Sequence, residues 1–248
     1  MPVTALGQQV VRYAQRVLND AKNFVEEIEI LRQGGHGFLK VGGIFAATAI
    51  VIPNTVIEIK QKWQILSIDV VEQTSDHLMD MLSEHTLDLA VGRFTNITQA
   101  QFFDFQALGP EPFCIVVNSQ HPFAQRKFCK LEELMEWPWV LYPKGTPIRE
   151  RMERAFTRVN VNIQLNTVNT MSMQTFLQIL QGAPMVGMLP EAMVSQHVSD
   201  GKLHILQTDL VLESQDYGIL TRKGEKLSET AQNFIELLLK NTQINSKN

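Results

Sequence analysis

The hydrophobic pattern of this 248-residue chain changes at Gly34-Gly35. Before the two glycines, apolar residues recur with the spacing of a helix. After them, short apolar runs of strand length alternate with stretches of helix length. A chain with this change is expected to carry a long N-terminal helix in front of an α/β body, whose strands and helices pack as layers around a core.

Residues 5–33 are predicted to form one helix, because they contain no proline and only one glycine, near the start. Thr4 fits an N-cap, and Gly34-Gly35 fit a C-terminal stop. The apolar spacing alternates between four and three residues, which defines a heptad seam. The seam consists of Val10, Ala14, Val17, Ala21, Phe24, Ile28 and Leu31, and a second row of Val11, Leu18 and Val25 lies beside it.

Two interpretations of this helix remain open: it packs on its own core, or it pairs with a second chain. At 1.5 Å per residue, nearly thirty residues would span roughly 43 Å, which is long for an element inside a small domain. The length favours pairing, with few contacts to the chain's own body. The other faces carry Arg12, Arg16, Asn19, Lys22, Asn23, Glu26 and Arg32.

The body is predicted to contain two α/β series. The first comprises strands 38–44, 65–72 and 87–92 with helices 46–61 and 76–84 between them. The second comprises strands 113–118, 139–142, 161–168, 185–189, 203–206 and 217–221 and helices 131–135, 148–158, 172–181, 190–196 and 227–239. Strand–helix–strand order implies parallel pairing and sheets covered on both faces. Ligands of such sheets bind at the carboxyl ends of the strands, and a cleft between two lobes is a natural pocket.

Composition and charge exclude several classes. Hydrophobic residues make up 44% of the chain and the net charge is -4, so the surface is not built to coat nucleic acid. Cys114 and Cys129 lack metal-ligand spacing and are expected to be free thiols in a reducing cytoplasm. Residues 1–20 show no secretory signal, and the uncharged run from Val41 to Ile57 is too short and too interrupted to span a membrane.

Catalytic motifs are missing from the sequence. It contains no G-x-S-x-G elbow, no P-loop and no G-x-G-x-x-G after a strand. The six histidines form no metal-binding pair, and His77 and His85 are expected at the surface. We therefore expect no enzyme, no cofactor and no metal. A solute-binding protein remains an alternative, but it would normally carry a secretory signal and no heptad helix.

Several segments, in order and spacing, resemble the LysR-type transcriptional regulators over nearly the whole chain. They are Thr4-Ala5-Leu6-Gly7 with the helix that follows, Gly43 before a helix containing Pro53, Leu87-Asp88-Leu89-Ala90-Val91-Gly92-Arg93, His121-Pro122-Phe123-Ala124, Leu131-Glu132-Glu133-Leu134, Trp137-Pro138-Trp139-Val140 and Gly182 to Pro190. Ala183-Pro184 replace the family's usual small residues, so the shape of that loop is in doubt.

The resemblance implies two Rossmann-like, periplasmic-binding-protein-like subdomains joined by two crossover segments behind a linker helix. Residues 1–36 would be the end of the wing and the linker, 37–111 plus 212–248 subdomain I, and 112–211 subdomain II. Such a chain would sense a ligand and form a homodimer, or a tetramer, through helix 5–33. The family's recognition helix would precede Thr4, so promoter DNA is an expected partner only where a helix-turn-helix is supplied.

The first candidate site residues follow the strands of subdomain I. Phe45-Ala46-Ala47-Thr48 opens a helix, whose free amides would form an anion site. Thr48 adds a hydroxyl or merely caps the helix, and Ser75 stands at the mouth of the next helix. Arg93 suits the bidentate capture of a carboxylate, although a surface ion pair is the alternative.

The second set of candidates belongs to subdomain II. Lys144, Thr146, Pro147 and Ile148 lie on a loop between a strand and a helix, and Asn169 and Met171 lie on another. Both loops should face the same cleft as the first set. Together they predict a small organic anion as effector, a carboxylate such as an aromatic or sugar acid.

Overall fold

The computed structural model describes residues 4–32, 37–161, 166–211 and 214–245. The chain forms two compact units, and unit 1 combines Met1–Gly109 with Asp216–Asn248 while unit 2 is Pro110–Gln215. The end of the wing at 1–3, the Gly34-Gly35 stop and His36 lie outside the described residues. Every helix in the described ranges is too short or too polar to cross a membrane.

The N-terminal helix, α1, runs from Ala5 to Arg32 as predicted. Thr4 caps it, because its side-chain oxygen accepts a hydrogen bond from the amide of Gly7 at 3.1 Å. The heptad seam is open to solvent: Val10 is 61% exposed and Phe24 63%. A row of mostly polar residues on another face is instead partly buried, and it consists of Asn19, Asn23, Glu26 and Ile30.

Helix α1 contacts its own unit through this polar row. The Asn19 side chain donates to the carbonyl of Glu84 at 2.7 Å, and that of Asn23 donates to the carbonyl of His85 at 3.0 Å. His85, expected at the surface, is partly exposed there, and its ring nitrogen Nδ1 lies 2.7 Å from the Asp20 carboxylate. The helix therefore turns polar groups inward and leaves its apolar seam uncovered by the described chain.

Unit 1 contains a five-stranded sheet. Its strands are β1 (Phe38–Gly43), β2 (Ser67–Glu72), β3 (Leu89–Gly92) and β4 (Phe103–Glu111), and β10 (Gln215–Arg222), which follows the strands of unit 2. The order across the sheet is β2-β1-β3-β10-β4. The first three strands pair in parallel, as predicted, whereas β10 runs antiparallel to β3.

Helices cover the core of unit 1. A π-helical turn at Ala47–Val51 leads into α2 (Ile52–Lys62), and α3 (Ser75–Ser83) and α8 (Glu229–Asn245) also belong to this unit. Apolar residues with little or no exposure fill the space between sheet and helices. The largest of them include Phe234, Leu39, Ile52, Ile59, Leu78 and Leu89.

Strand β4 was not predicted, since no strand was expected between residues 92 and 112. It is an edge strand whose residues are largely exposed, and it contains Gly109 and Pro110. Edge strands tolerate proline and need no buried apolar face, so they lack the alternation that predicts a strand. Strand β2 also begins two residues later than expected.

Unit 2 contains a second five-stranded sheet. Its strands are β5 (Phe113–Asn118), β6 (Trp139–Leu141), β7 (Thr167–Asn169), β8 (Val186–Pro190) and β9 (Leu203–Leu206), in the order β7-β6-β8-β5-β9. Strand β6 pairs in parallel with β7 and β8, and β5 runs antiparallel to β8 and β9. Residues 162–165 of the predicted strand 161–168 lie outside the described residues.

Four helices accompany this sheet in the described residues: α4 (Leu131–Leu134), α5 (Pro147–Arg158), α6 (Met173–Gly182) and α7 (Glu191–Ser199). Trp139 on β6 packs edge-on against Phe156 of α5, with ring centroids 5.4 Å apart. Helix α5 follows β6 and α6 follows β7, so the carboxyl ends of two parallel strands lead into helix N-termini. The predicted α/β fold with two Rossmann-like subdomains is confirmed.

Candidate functional site

The candidate residues of unit 1 lie at one edge of its sheet. Strands β1, β2 and β3 are parallel, and their carboxyl ends are Gly43, Glu72 and Gly92, with Gly43 paired to Glu72. Phe45–Thr48 follows β1, Ser75 follows β2 and Arg93 follows β3. The strand ends therefore bring the three predicted groups to the same edge.

The loop after β1 offers fewer free amides than expected. The backbone N–H groups of Ala47 and Thr48 both donate to the carbonyl of Ile44, at 2.9 and 3.0 Å. The prediction of free amides is therefore wrong for these two residues, because the tight turn into the helix uses them internally. The side chains of Ala46 and Ala47 are buried in the core.

The hydroxyl of Thr48 faces acceptors and does not cap the helix. It lies 3.0 Å from the carbonyl oxygen of Phe45 and within hydrogen-bonding distance of the Glu72 carboxylate. Because a hydroxyl has one proton, it can donate to only one of them at a time. Gly43 makes this packing possible, since a Cβ there would lie 2.9 Å from Thr48 Cγ2.

Ser75 holds the end of β3. Its buried hydroxyl accepts a hydrogen bond from the backbone amide of Arg93 at 3.2 Å. Gly92 leaves room for this contact, because a Cβ at that position would lie 3.2 Å from Ser75 Oγ. Ser75 thus fixes the backbone from which the half-buried Arg93 side chain extends.

In unit 2, Thr146 is the N-cap of α5. Its side-chain oxygen accepts from the amide of Arg149 at 3.4 Å and donates to the carbonyl of Pro143 at 2.8 Å. Lys144 is exposed beside it, and Pro147 and Ile148 are half-buried in the first turn of the helix. The predicted loop is therefore an ordered strand-to-helix connection.

The second predicted loop of unit 2 leads from β7 into α6. Asn169 is exposed at the end of β7 and Met171 is half-buried just beyond it. The amide of Thr170 donates to the carbonyl of Leu141 at 3.0 Å, which ties this loop to the end of β6. The two loops of unit 2 are therefore neighbours at one edge of its sheet.

Arg149 organises this edge, and sequence reasoning missed it. Only 2% of its surface is exposed. Its Nη1 donates to the carbonyl of Tyr142 and to Oδ1 of Asn169, both at 2.9 Å, and its Nε donates to Glu153 at 2.7 Å. The guanidinium thus joins the ends of β6 and β7, and Asn169 is engaged by it. An arginine three residues into a helix gives no sequence signal of burial.

A separate groove in unit 1 has a volume of about 780 Å³. None of the predicted site residues lines it. Helix α1 forms one wall, and the body of unit 1 forms the other. Its lining residues are Gln9, Arg12, Tyr13, Arg16, Asp80, Ser83, Glu84, His85, Phe102, Phe103, Arg222, Lys223 and Glu225.

The two cysteines do not have the character of reactive thiols. Burial raises the pKa of Cys114 to about 12, and the nearby charge of Glu191 adds to the effect. Burial also raises the pKa of Cys129. Reactive and redox-sensing cysteines are thiols of low pKa, so neither residue fits that chemistry. No cluster of acidic, histidine or cysteine side chains in the described ranges could hold a metal ion.

Comparison with known proteins gives consistent matches. The profile of the LysR substrate binding domain matches residues 32–243. The HTH-type transcriptional regulator GbpR of Azospirillum brasilense is 24% identical over 233 residues, which cover 94% of this chain and 68% of GbpR.

Two solved structures share the fold. The regulatory domain of Synechocystis PCC6803 CcmR in complex with 2-PG has a TM-score of 0.72 at 18% identity, covering 83% of this chain and 97% of that one. The effector binding domain of QuiR in complex with shikimate has a TM-score of 0.70 at 14% identity, covering 85% of this chain and 99% of that one.

Proposed function

Because this chain belongs to the LysR substrate-binding domain family, we propose that it is the ligand-sensing and oligomerising part of a LysR-type transcription regulator. It binds a small organic anion and does no catalysis. The observation that carries the proposal is the meeting of Thr48, Ser75 and Arg93 at the carboxyl ends of three parallel strands. We further propose that the protein acts in the cytoplasm, where its promoter DNA is reached through a helix-turn-helix.

The chemistry of the edge supports an acid as the effector. Arg93 carries a planar guanidinium, a group that can bind a carboxylate through two parallel hydrogen bonds. Ser75 holds its backbone in place, so less flexibility is lost when a ligand binds. The related domain of QuiR was solved with shikimate, which is also a carboxylate.

Helix α3 offers a physical route from this site to helix α1. It begins at Ser75, whose hydroxyl holds Arg93, and ends at Ser83. The next two residues, Glu84 and His85, accept hydrogen bonds from α1. A ligand that binds one arrangement of this edge more tightly shifts the population toward it, and α3 carries the shift to the helix through which two copies pair.

The proposal is tested by titrating a panel of aromatic and sugar carboxylates against the wild-type chain and Arg93→Ala by calorimetry. We expect at least one acid to bind the wild type and Arg93→Ala to weaken it by about tenfold or more, since a charge-assisted pair is lost. Arg154→Ala is the control, because Arg154 is an exposed arginine paired with Glu150 on the surface of α5.

If no acid binds and an uncharged ligand binds both the wild type and Arg93→Ala equally, the effector is not an anion held by Arg93. Equal loss of binding in the Arg154→Ala control would likewise remove Arg93 from the site.

A further inference from the structure

The edge that carries Arg93 also carries a negative charge. Glu72 is the last residue of β2 and pairs with Gly43, the last residue of β1. Its carboxylate accepts a hydrogen bond from the hydroxyl of Thr48. Glu72 is exposed, and no Lys, Arg or His in the described part of the chain forms an ion pair with it.

This carboxylate has consequences for ligands at the same edge. The backbone amides of Ala47 and Thr48 donate to the carbonyl of Ile44, so they do not offset the charge of Glu72. An acid group at this end of the edge would be repelled by the like charge of Glu72. Repulsion of this kind is a common way for a site to reject a wrong ligand. A hydrogen-bond donor would instead find an ionised acceptor, which makes a stronger bond than a neutral one.

The hydroxyl of Thr48 allows such a donor to enter. Its proton can turn to the carbonyl of Phe45, which lies 3.0 Å away, when a ligand occupies Glu72. The exchange leaves no hydroxyl without an acceptor, so it carries no penalty for an unsatisfied polar group.

We propose that the effector carries, beside its acid group, an N–H or O–H donor that binds Glu72. This inference rests on the proposed function, since it concerns the same site. Glu72 ends β2 and Arg93 follows β3, and these two strands flank β1 on opposite sides. Two strand spacings amount to about 10 Å. The ligand is therefore bipolar, with its acid group toward Arg93 and its donor, an ammonium or a hydroxyl, toward Glu72.

The test uses two matched series of acids on fixed carbon skeletons. One series is benzoate, 4-hydroxybenzoate and 4-(aminomethyl)benzoate, and the other is hexanoate, 6-hydroxyhexanoate and 6-aminohexanoate. Each compound is titrated by calorimetry against the full chain, Glu72→Gln and Glu136→Gln. Glu136 is an exposed carboxylate of unit 2 and serves as the matched control. Comparing the hydroxyl and ammonium members tells the two kinds of donor apart.

In at least one series, we expect the wild type to bind a donor-bearing acid about tenfold or more tightly than the plain acid. Glu72→Gln should reduce this ratio to near one, mainly by weakening the donor-bearing acid, while Glu136→Gln keeps it. The thermal unfolding curve of Glu72→Gln should match the wild type, because Glu72 is exposed.

Two outcomes overturn the inference. If plain acids bind as tightly as their donor-bearing partners, or if Glu72→Gln leaves the ratio unchanged, Glu72 does not select the ligand. If the plain acids bind and Arg93→Ala weakens their binding, the proposed function still stands. If no acid of either series or of the carboxylate panel binds, the proposed function fails together with this inference.

Discussion

Arg149 shows how a single buried side chain can hold a loop in place. Its guanidinium hydrogen-bonds the backbone at Tyr142 and the side chains of Asn169 and Glu153, so it fixes the ends of two strands and the start of α5. We expect Arg149→Met to lower the free energy of unfolding by about 2 kcal/mol, because the buried carbonyl of Tyr142 loses its donor and the partly buried contacts with Asn169 and Glu153 are lost as well.

Urea unfolding monitored by circular dichroism measures this effect. Arg154→Met is the matched control on the same helix, and its exposed ion pair with Glu150 should contribute less than about 1 kcal/mol. Equal unfolding midpoints for Arg149→Met and the wild type would contradict the assigned role.

His121 makes stability depend on pH. Its ring is 2% exposed, and its Nδ1 accepts from the amide of Phe123 at 3.2 Å. Burial lowers the pKa of this histidine, so the folded state favours the neutral ring. As pH falls through the unfolded value, about 6.5, the unfolded chain takes up a proton that the folded chain refuses, and stability falls until the folded pKa is reached.

The measurement compares the wild type with His121→Asn, whose side-chain oxygen can accept the same amide. Urea midpoints from pH 7.5 to pH 5.5 should fall more steeply in the wild type than in His121→Asn. Replacing the exposed His204 by Asn should leave the slope of the wild type unchanged. Parallel curves for the wild type and His121→Asn would refute the prediction.

Among the secondary-structure elements, the buried strands were predicted best from the sequence. Strands β1 and β3 are short buried runs rich in apolar residues, and the rule that ligands meet the carboxyl ends of parallel strands placed Thr48, Ser75 and Arg93 together. Glu72 and Arg149 were missed because a charged residue in a strand or helix normally indicates a solvated face. Only tertiary packing shows that Glu72 lies beside Thr48 and that Arg149 is buried.

Helix α1 leaves the apolar residues of its seam exposed in the part of the chain that the structure describes. Val17 is 49% exposed and Phe24 63%, so we predict that they lie in the interface of a homodimer. Val17→Lys with Phe24→Lys should convert the dimer to a monomer, because two charges would be buried against apolar partners. Light scattering coupled to size exclusion at micromolar concentration measures the mass.

The control changes two exposed polar positions of the same helix, Gln15→Lys and Glu27→Lys, and should remain a dimer. A wild-type chain that is monomeric at the same concentration would rule out pairing through α1. A dimer that survives the Val17 and Phe24 changes would move the interface elsewhere.

For the whole molecule, alternation of strands and helices was enough to predict two α/β subdomains, whereas the antiparallel strands could not be foreseen. Strand β10 comes from the C-terminal part of the chain yet lies beside β3 in the sheet of unit 1. Hydrophobic period reports which face of a segment is buried, but it does not report which distant strand will be its neighbour. The extents proposed for the subdomains remain a prediction.

The polar row by which α1 contacts unit 1 has a thermodynamic consequence. If the apolar seam is covered only when two copies meet, burial of that surface belongs to a bimolecular equilibrium and is governed by mass action. Dilution would then expose the apolar seam of α1 and lower the stability of this helix, without altering any contact inside either unit. The abundance of the protein in the cell would itself help decide how much of it is assembled and able to respond to its ligand.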